Sequence, residues 1–468
     1  MTSGDGERPA VDESGRIGDR VNTSSRPSRL AITDMRFADI AAAPMHCTLM
    51  KLYTNQDLVG FGEIRDAGSR TYALMLKDRI LGENPCNVDK LFRRIKQFGG
   101  HGRQAGGVCG VEVALWDLAG KAYGVPVWQL LGGRFRDRIR MYCDTHPMGG
   151  GTAREMGEAL EKRMEAGYTF LKMDVGIDRL FETPGALSAP LGFLEEFREA
   201  GRRYVRSLRA PNRGDPEHRR ARNRSYDIFN ISHPFTGIHI SEKGLDALES
   251  YVSEVRSAVG CEVPLAMDHF GHIPVEDCIR LARRLERYAP AWLEDMIPWQ
   301  LTDQYVRLSR STTAPLCTGE DIYLKESFRP LLEAGAVAVV HPDLMTSGGI
   351  LETKKIGDMA QDHGVAMAIH MAESPIGCLA AVHAAAATEN FLAMEYHSAD
   401  VPWWDDLVQG PATPIVDRGY ISVPEGPGLG IESLNDEVIA AHVHPDHPEL
   451  WGDTSGWDHE WAHDRTWS

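Results

Sequence analysis

The stretch VPLAMDHFGHIPVEDCIRLARRLERYAPAWLED, residues 263–295, contains the pattern that predicts the fold of this chain. It begins with a short apolar run that ends in Asp268, and it closes with a second apolar run that ends in Glu294 and Asp295. Short runs that are almost entirely apolar are typical of parallel strands buried on both faces. Together with the longer segment between them, the two runs predict a strand–helix–strand unit of an α/β protein.

Six further β-rich runs of the same kind occur along the chain. They are RIRMYC (138–143), TFLKMDV (169–175), APLCTGE (314–320), AVAVVHPD (336–343), VAMAIHM (365–371) and FLAMEY (391–396). Helical stretches such as SEKGLDALESYVSEVRSAVG separate most of the runs. Strands and helices that alternate in this way predict a parallel (β/α)8-type TIM barrel over residues 138–404.

The segment before the barrel, residues 29–137, predicts a separate α+β domain. CTLMKLY and LVGFGEI lie on either side of a short polar turn, which indicates a β-hairpin. GVEVALWDLAGKAYG (110–124) has apolar residues at helical spacing and ends in a glycine, which predicts a helix. Residues 1–28 are rich in Gly, Ser, Asp and Arg, and we expect them to form a flexible tail.

One interval between barrel strands is longer than the others. It covers about residues 178–241, after the second predicted strand, and includes the Arg-rich FREAGRRYVRSLRAPNRGDPEHRRARNR. An insertion at this point lies at the active-site end of a barrel and could form a lid. A solvated surface or an oligomer contact explains the same composition equally well, so both interpretations stay open.

The composition of the chain argues against some classes of binding partner and indicates a cellular compartment. The chain of 468 residues has 67 acidic and 50 basic side chains, a formal net charge of −17, which argues against nucleic-acid or anionic-membrane partners. The 8 cysteines are scattered without a Cys-x-x-Cys pair, which is typical of reduced packing residues in the cytosol. The polar first residues resemble no signal peptide, and we expect a cytoplasmic protein without a membrane span.

Charged side chains interrupt the apolar runs at corresponding points, near the end of each predicted strand. The successive residues are Asp268, Glu294, Glu320, Asp343, His370 and Glu395. One such acid is commonly a helix cap or an ion-pair partner, but a series at the same end of a barrel would be buried together. Unpaired buried carboxylates are costly unless a cation compensates them. Three oxygen donors from separate strands suit Mg²⁺.

The series resembles a known family. Asp268, Glu294 and Glu320 resemble the metal ligands of the enolase superfamily, and Asp343 with His370 resembles the dyad of its mandelate racemase subgroup. The segments ALWDLAGKAYGVPVWQLLGG and GYISVPEGPGLGIE are further hallmarks, so the resemblance covers about residues 30–435. It implies a modified (β/α)7β barrel, a capping domain that about residues 405–450 complete, bound Mg²⁺, and a homo-oligomer from dimer to octamer.

The resemblance also implies roles for individual residues. His370 is the expected base that removes the proton next to the substrate carboxylate, with Asp343 as its orienting partner. Glu395 matches the acid that hydrogen-bonds the substrate carboxylate in mandelate racemase, although a structural acid at a strand end is the alternative.

The second predicted strand departs from the racemase pattern. Racemases of this subgroup carry Lys-x-Lys there, whereas this strand reads LKMD, so Lys172 matches the first lysine and Asp174 replaces the second. Side chains alternate along a strand, so both should point into the barrel, where we expect Asp174 to pair with Lys172. Without a second base, the pattern favours dehydration over racemisation.

The third predicted strand departs as well. The region HMAESPIGCLAAVHAAAATENFLAME is similar to galactonate and mannonate dehydratases, which place an acid histidine two residues beyond the first metal ligand. This chain has Phe270 at that position, with His269 and His272 on either side. Gly271 permits a turn that would bring His272 over the metal, so we favour His272 as the acid, with His269 as the alternative.

These observations predict a Mg²⁺-dependent lyase that dehydrates a sugar acid, an aldonate or aldarate, to a 2-keto-3-deoxy acid. Asp174 and His269 are expected to contact this small-molecule substrate. A racemase or epimerase that uses Lys172 and His370 is the alternative enzyme, and a non-catalytic ligand-binding protein on the same scaffold is the alternative outside catalysis.

Overall fold

The computed structural model describes residues 25–145, 151–196, 198–199, 202, 237–270 and 273–459. The N-terminal part is an antiparallel sheet with strands in the order β1 (Ile32–Ile40), β2 (Cys47–Thr54) and β3 (Val59–Ile64). The pairing of β2 with β3 confirms the predicted hairpin, whereas β1 was not predicted. Five helices follow: α1 (Thr71–Leu74), α2 (Lys77–Ile80), α3 (Val88–Ile95), α4 (Gly106–Tyr123) and α5 (Val127–Leu130).

The long helix α4 confirms the helix predicted from apolar spacing. It ends at Gly124, whose φ of 71° lies in the left-handed region that glycine adopts without strain. Almost every residue of α4 is buried, because one side packs against the three-stranded sheet and the other against the barrel.

A closed parallel barrel follows, and it confirms the predicted fold class. Its strands in the described chain are β4 (Arg138–Cys143), β5 (Leu171–Asp174), β8 (Leu265–Asp268), β9 (Leu293–Glu294), β10 (Leu316–Thr318), β11 (Val339–Val340), β12 (Ala366–Ile369) and β13 (Phe391–Tyr396). Two short strands in the insertion, β6 (Leu187–Ser188) and β7 (His239–Ile240), pair antiparallel with each other. Neighbouring barrel strands follow chain order, and the pairing of β13 with β4 closes the barrel.

Helices cover the outside of the barrel. They are α6 (Ala153–Glu165), α7 (Glu242–Val259), α8 (Val275–Leu285), α9 (Thr302–Ser309), α10 (Lys325–Glu333), α11 (Leu344–Ser347), α12 (Ile350–Asp362) and α13 (Pro375–Ala386). Short 3-10 helices occur at Pro27–Arg29, Lys96–Phe98, Gly102–Ala105, Ile177–Leu180, Glu286–Tyr288, Asp405–Leu407 and Ser455–Trp457. Thr152 caps α6 in a capping box with Glu155, and Ser374 caps α13.

The chain after the barrel returns to the N-terminal sheet. It contains β14 (Val408–Gln409), β15 (Tyr420–Ser422), β16 (Ser433–Leu434) and α14 (Asp436–Ala441). Beyond α14, the backbone N–H groups of His444 and Trp451 donate to the carbonyls of Asp39 and Phe37 on β1, at 2.7 and 2.8 Å. This segment therefore ties the C-terminal part of the chain to the first strand.

The barrel interior has a layered packing that positions the polar residues above it. One side chain in each barrel strand, or directly before it, belongs to a buried layer. These residues are Tyr142, Phe170, Ala266, Trp292, Cys317, Val339, Ala368 and Ala393. Since strand side chains alternate, the residue two positions further along each strand points to the same interior, one layer higher. That higher layer includes Lys172, Asp268, Glu294, His370 and Glu395.

Among the residues that the structure describes, no helix is both long enough and apolar enough to cross a membrane. All 8 cysteines are in the described part, and each is a free thiol.

Candidate active site

The barrel brings the predicted strand-end residues together at one end. Asp268 and Glu294 end β8 and β9, Glu320 follows β10, and Glu395 lies in β13. Beyond β11 and β12, Asp343 and His370 form an isolated parallel bridge. The carboxyl ends of parallel barrel strands meet on one face, which is where active sites of this fold lie.

A buried group of carboxylates surrounds the ammonium of Lys172. Its Nζ lies 2.8 Å from Asp268 Oδ2, 3.1 Å from Glu294 Oε1 and 2.8 Å from Glu395 Oε1. Burial alone would lower the pKa of Lys172, but the charges of these carboxylates raise it well above its ordinary value. The lysine is thus held as a cation.

The same region offers oxygen donors for a metal ion. Glu294, Asp295 and Glu320 each contribute a carboxylate oxygen, and the three oxygens lie within 4.8 Å of one another. Burial, with Glu294 as the next cause, raises the pKa of Asp268 to about 6. Carboxylate oxygens that lie this close together, with Glu294 buried, fit a hard divalent cation, because a cation compensates their mutual repulsion. Asp295 was not predicted as part of this group.

The predicted dyad is formed. His370 Nδ1 lies 2.6 Å from Asp343 Oδ2, and His370 Nε2 lies 3.2 Å from Glu320 Oε2. Burial would lower the pKa of His370, but the Glu320 and Asp343 carboxylates raise it well above its ordinary value. The imidazole thus links the dyad to the carboxylate group through Glu320.

Arg65, which the sequence interpretation missed, supports the dyad from the N-terminal domain. It follows β3, is 1% exposed, and places Nε 3.6 Å from Asp343 Oδ2 and 3.1 Å from Asp66 Oδ1. Its Nη1 donates to the backbone carbonyl of Glu320 at 2.7 Å. The only sequence signal was a charged pair, Arg65–Asp66, after an apolar strand, and that signal does not name the partner.

His341 is a second residue that was missed, and it contacts the carboxylate group. Its Nδ1 lies 2.9 Å from Glu294 Oε1, and its Nε2 lies 2.6 Å from the hydroxyl of Tyr142. Tyr142 also donates to Glu395 at 3.2 Å. Strand alternation could have indicated His341, since it stands two residues before Asp343.

The expected pairing of Asp174 with Lys172 is wrong. The Lys172 ammonium pairs instead with the carboxylates of Asp268, Glu294 and Glu395, which lie in the same layer. Asp174 Oδ1 instead lies 3.9 Å from His269 Nε2, because Asp174 pairs in register with Asp268, directly before that histidine.

Of the two histidines that the sequence offers as the acid, the structure describes His269. The side chain of His269 is 66% exposed, with Nε2 3.8 Å from Asp268 Oδ2, and its backbone has a φ of 56°. His272 lies outside the described residues.

A further histidine was missed by the sequence interpretation. It is His397, which directly follows β13 and places Nδ1 3.3 Å from Asp144 Oδ2.

Comparison with known proteins agrees with this architecture. Residues 155–437 match the family model described as enolase C-terminal domain-like, and residues 19–132 match the mandelate racemase/muconate lactonizing enzyme N-terminal domain. A D-xylonate dehydratase of Haloferax volcanii is 33% identical over 402 residues, 84% of this chain and 85% of its own. A D-galactonate dehydratase of Verminephrobacter eiseniae is 27% identical over 85% of this chain and 91% of its own.

A solved structure extends the agreement to three dimensions. A mandelate racemase/muconate lactonizing enzyme-like protein from Rubrobacter xylanophilus is 30% identical and superposes with a TM-score of 0.73, over 91% of this chain and 100% of its own. The chain therefore belongs to the mandelate racemase/muconate lactonizing enzyme family of the enolase superfamily.

Proposed function

We propose that the protein is a metal-dependent lyase that removes water from a sugar acid, an aldonate or aldarate, to give a 2-keto-3-deoxy acid. The observation that carries the proposal is the His370–Asp343 dyad, whose Nε2 lies 3.2 Å from Glu320 of the carboxylate group. A base beside a cation-binding group is what removal of a proton next to a carboxylate requires. The dehydratases among the relatives support the same reaction class.

His370 is the proposed base. Its Nε2 takes the α-proton, while Asp343 holds Nδ1, selects the tautomer and stabilises the protonated ring. Because Nε2 contacts Glu320 in this structure, a cation partner for Glu320 would leave Nε2 available for the substrate.

We propose Mg²⁺ as the cation, with Asp268, Glu294 and Glu320 as its ligands. When bound, it would stabilise the negative charge that develops on the substrate carboxylate as the α-proton leaves. Lys172, which pairs with Glu395 at 2.8 Å in the same layer, would donate to that carboxylate. Glu395 would hydrogen-bond it as a protonated acid.

Racemisation is less well supported than dehydration. A racemase needs a second base on the opposite face of the substrate, and Lys172 is the candidate. Its ammonium pairs with three carboxylates in this structure, and Asp174 stands where racemases of this subgroup carry the second lysine.

Dehydration also needs an acid for the departing 3-hydroxyl, because hydroxide is a poor leaving group. His272 stays the prediction from sequence, with His269 as the alternative. Asp174 and His269 stay predicted substrate contacts at the mouth of the barrel.

A substrate screen tests the proposal. The protein with Mg²⁺ is incubated with aldonic and aldaric acids in D₂O, and both 2-keto-3-deoxy products and exchange of the α-proton are measured by NMR. We expect dehydration of at least one acid, and a loss of both signals by about 10²–10⁴-fold in His370→Asn. The exposed His363→Asn is the matched control.

Three outcomes would count against the proposal in different ways. No product and no exchange with any acid would indicate the ligand-binding alternative. Exchange with inversion but no product would indicate a racemase. Exchange that persists in His370→Asn would show that another residue is the base.

We also propose a cytoplasmic location and a homo-oligomeric assembly for the protein. The 8 free thiols support a cytoplasmic protein, since disulfides are rare there. A homo-oligomer, from dimer to octamer, is proposed from the family resemblance, and light scattering after gel filtration tests it.

A further inference from the structure

A second histidine–carboxylate pair lies at the mouth of the barrel, where the barrel closes. His397 directly follows β13 and Asp144 directly follows β4, the two strands whose pairing closes the barrel. His397 Nδ1 lies 3.3 Å from Asp144 Oδ2. The Asp144 side chain is 2% exposed and that of His397 is 18% exposed, so the carboxylate is buried behind a partly exposed imidazole.

The pair lies next to the proposed base. A ring nitrogen of His370 and one of His397 lie within 4.8 Å of each other, and the ring centroids are 5.5 Å apart. His397 Nε2 is buried and makes no hydrogen bond with the described residues. Glu395 Oε1 lies 3.4 Å from it, a long separation for a hydrogen bond, and this oxygen already pairs with Lys172.

This arrangement repeats that of the base. In both pairs a buried carboxylate contacts Nδ1, and Nε2 is the remaining nitrogen of the ring. A carboxylate at Nδ1 fixes the tautomer and supports the charged imidazole, which suits a proton donor as well as a proton acceptor.

The position also suits the geometry of dehydration. The proton leaves one substrate carbon and the hydroxyl leaves its neighbour, so the base and the acid must reach adjacent carbons. His370 and His397 follow the adjacent strands β12 and β13, whereas His269 follows β8, four strands away in the sheet. The His269 side chain is also 66% exposed, against 18% for His397.

We propose that His397, held by Asp144, is the acid that protonates the departing 3-hydroxyl; the proposal rests on the dehydratase function proposed above. The C3–O bond breaks, and its electron pair stays on the oxygen, which takes the proton from His397 Nε2 and leaves as water. The electron pair left by the α-proton forms the C2–C3 double bond, and the resulting enol converts to the 2-keto acid. Asp144 is a positioning residue in this step.

The simpler interpretation is an ion pair that joins β13 to β4. A structural pair of this kind would affect the stability of the barrel but would not depend on the chemistry of the leaving group. That difference separates the two interpretations.

The test uses two forms of the best substrate from the screen, the native sugar acid and its 3-deoxy-3-fluoro analogue. Fluoride leaves without protonation, so loss of the acid should affect only the native substrate. In His397→Asn we expect dehydration of the sugar acid to fall by at least about 100-fold, with α-proton exchange and fluoride release within a few-fold of wild type. Asp144→Asn should show the same pattern more weakly, and His363→Asn should behave as wild type.

Each result decides between the interpretations. If fluoride release and exchange fall as far as dehydration, the pair is structural and the proposal is wrong. If His397→Asn dehydrates normally while His272→Asn or His269→Asn does not, the acid is one of those residues. If His397→Asn does not fold, Asp144→Asn and His397→Gln must show the dependence on the leaving group, or the proposal fails. Absence of turnover in the wild-type protein would instead overturn the dehydratase function.

Discussion

Asp343, the carboxylate of the dyad, depends on a charge from another domain. Burial by itself would raise the pKa of Asp343, but the Arg65 guanidinium, followed by His370, lowers it to about 2. Arg65 is in turn buried among Asp66, Asp321 and Asp343 and the Glu320 carbonyl. One arginine therefore keeps the dyad carboxylate ionised and fixes the loop that carries Glu320.

We predict that Arg65→Gln lowers both the stability and the kcat of the protein. Removing one partner of a buried ion pair typically costs about 3–5 kcal/mol, because the other charge stays buried. The Asp343 pKa should also rise from about 2 towards its unfolded value of 3.8 or above. A carboxylate with a lowered pKa stabilises the fold above its unfolded pKa and loses this contribution as the pH falls, so acid unfolding should begin at a higher pH.

Urea unfolding from about pH 2 to about pH 6 measures the change in acid stability, and kcat at about pH 7 measures the change in activity. Arg65→Lys should recover part of kcat, because it restores the charge but not the planar donor set. Arg103→Gln is the matched control, since Arg103 pairs with Asp66 but is 43% exposed. Equal effects of Arg65→Gln and Arg103→Gln would contradict a specific dependence of the dyad on Arg65.

At the scale of elements, two glutamates of the N-terminal domain cap the helices that follow the dyad residues. Glu112 on α4 accepts from the N–H groups of Ile350 and Leu351, at the start of α12, at 2.7 and 3.1 Å. Glu63 on β3 accepts from Ser374 and Gly377, at the start of α13, at 2.9 and 3.1 Å. The first N–H groups of a helix have no partner within the helix, so these carboxyl oxygens satisfy them and fix both helices against the N-terminal domain.

We predict that Glu112 makes the fold less stable as the pH rises from about 4.5 to about 8. Burial raises the Glu112 pKa from 4.5 to about 8, so in this window the folded protein holds a proton that the unfolded chain has lost. The free energy of unfolding then falls with increasing pH. Glu112→Gln cannot ionise, so this part of the pH dependence should disappear.

Thermal unfolding from pH 5 to 8 measures the slope for wild type and for Glu112→Gln. Glu161→Gln, on the exposed side of α6, is the control and should keep the wild-type slope. An unchanged slope in Glu112→Gln would mean that Glu112 is already ionised at pH 5 in the folded protein.

For the whole molecule, the carboxylate group couples metal binding to folding. Asp268, Glu294 and Glu320 come from three strands, so they meet only in the closed barrel. A ligand that binds only the folded state raises the free energy of unfolding by RT ln(1 + [L]/Kd), about 2.7 kcal/mol at 100 times Kd.

We predict that Mg²⁺ raises the Tm of the wild-type protein and that EDTA abolishes turnover. Glu294→Gln should lose the Mg²⁺-dependent rise in Tm, while the exposed Glu333→Gln should keep it. Calorimetry with Mg²⁺ alone gives the affinity independently of activity. Full turnover after exhaustive EDTA treatment would contradict the metal requirement.

We also predict that the insertion at residues 178–241 affects specificity rather than the chemistry. Its described ends pair as β6 and β7, so the chain between them can be shortened without separating the ends. Replacing the Arg-rich part with a Gly-Ser linker should change KM or the preferred sugar acid while calorimetric Mg²⁺ binding survives. If the kinetic constants are unchanged for every substrate but light scattering gives a different oligomer mass, the insertion is an oligomer contact.

The amino-acid sequence alone predicts the barrel and most of the residues of the candidate active site. The alternation of apolar runs and helices predicts parallel strands, and the carboxyl ends of such strands necessarily meet at one end. For this reason the order of residues along the chain is enough to place Asp268, Glu294, Glu320, Asp343 and His370 together.

The contacts between individual side chains, in contrast, depend on the three-dimensional fold. Arg65 reaches Asp343 from the N-terminal domain, and His397 meets Asp144 where the barrel closes. Lys172 pairs with three carboxylates of its own layer rather than with Asp174. Strand periodicity predicts which face of the sheet each side chain occupies. It does not predict the stagger between strands, how far a side chain extends, or how a second domain packs on the barrel. These contacts depend on those three quantities, because their partners are far apart in the chain.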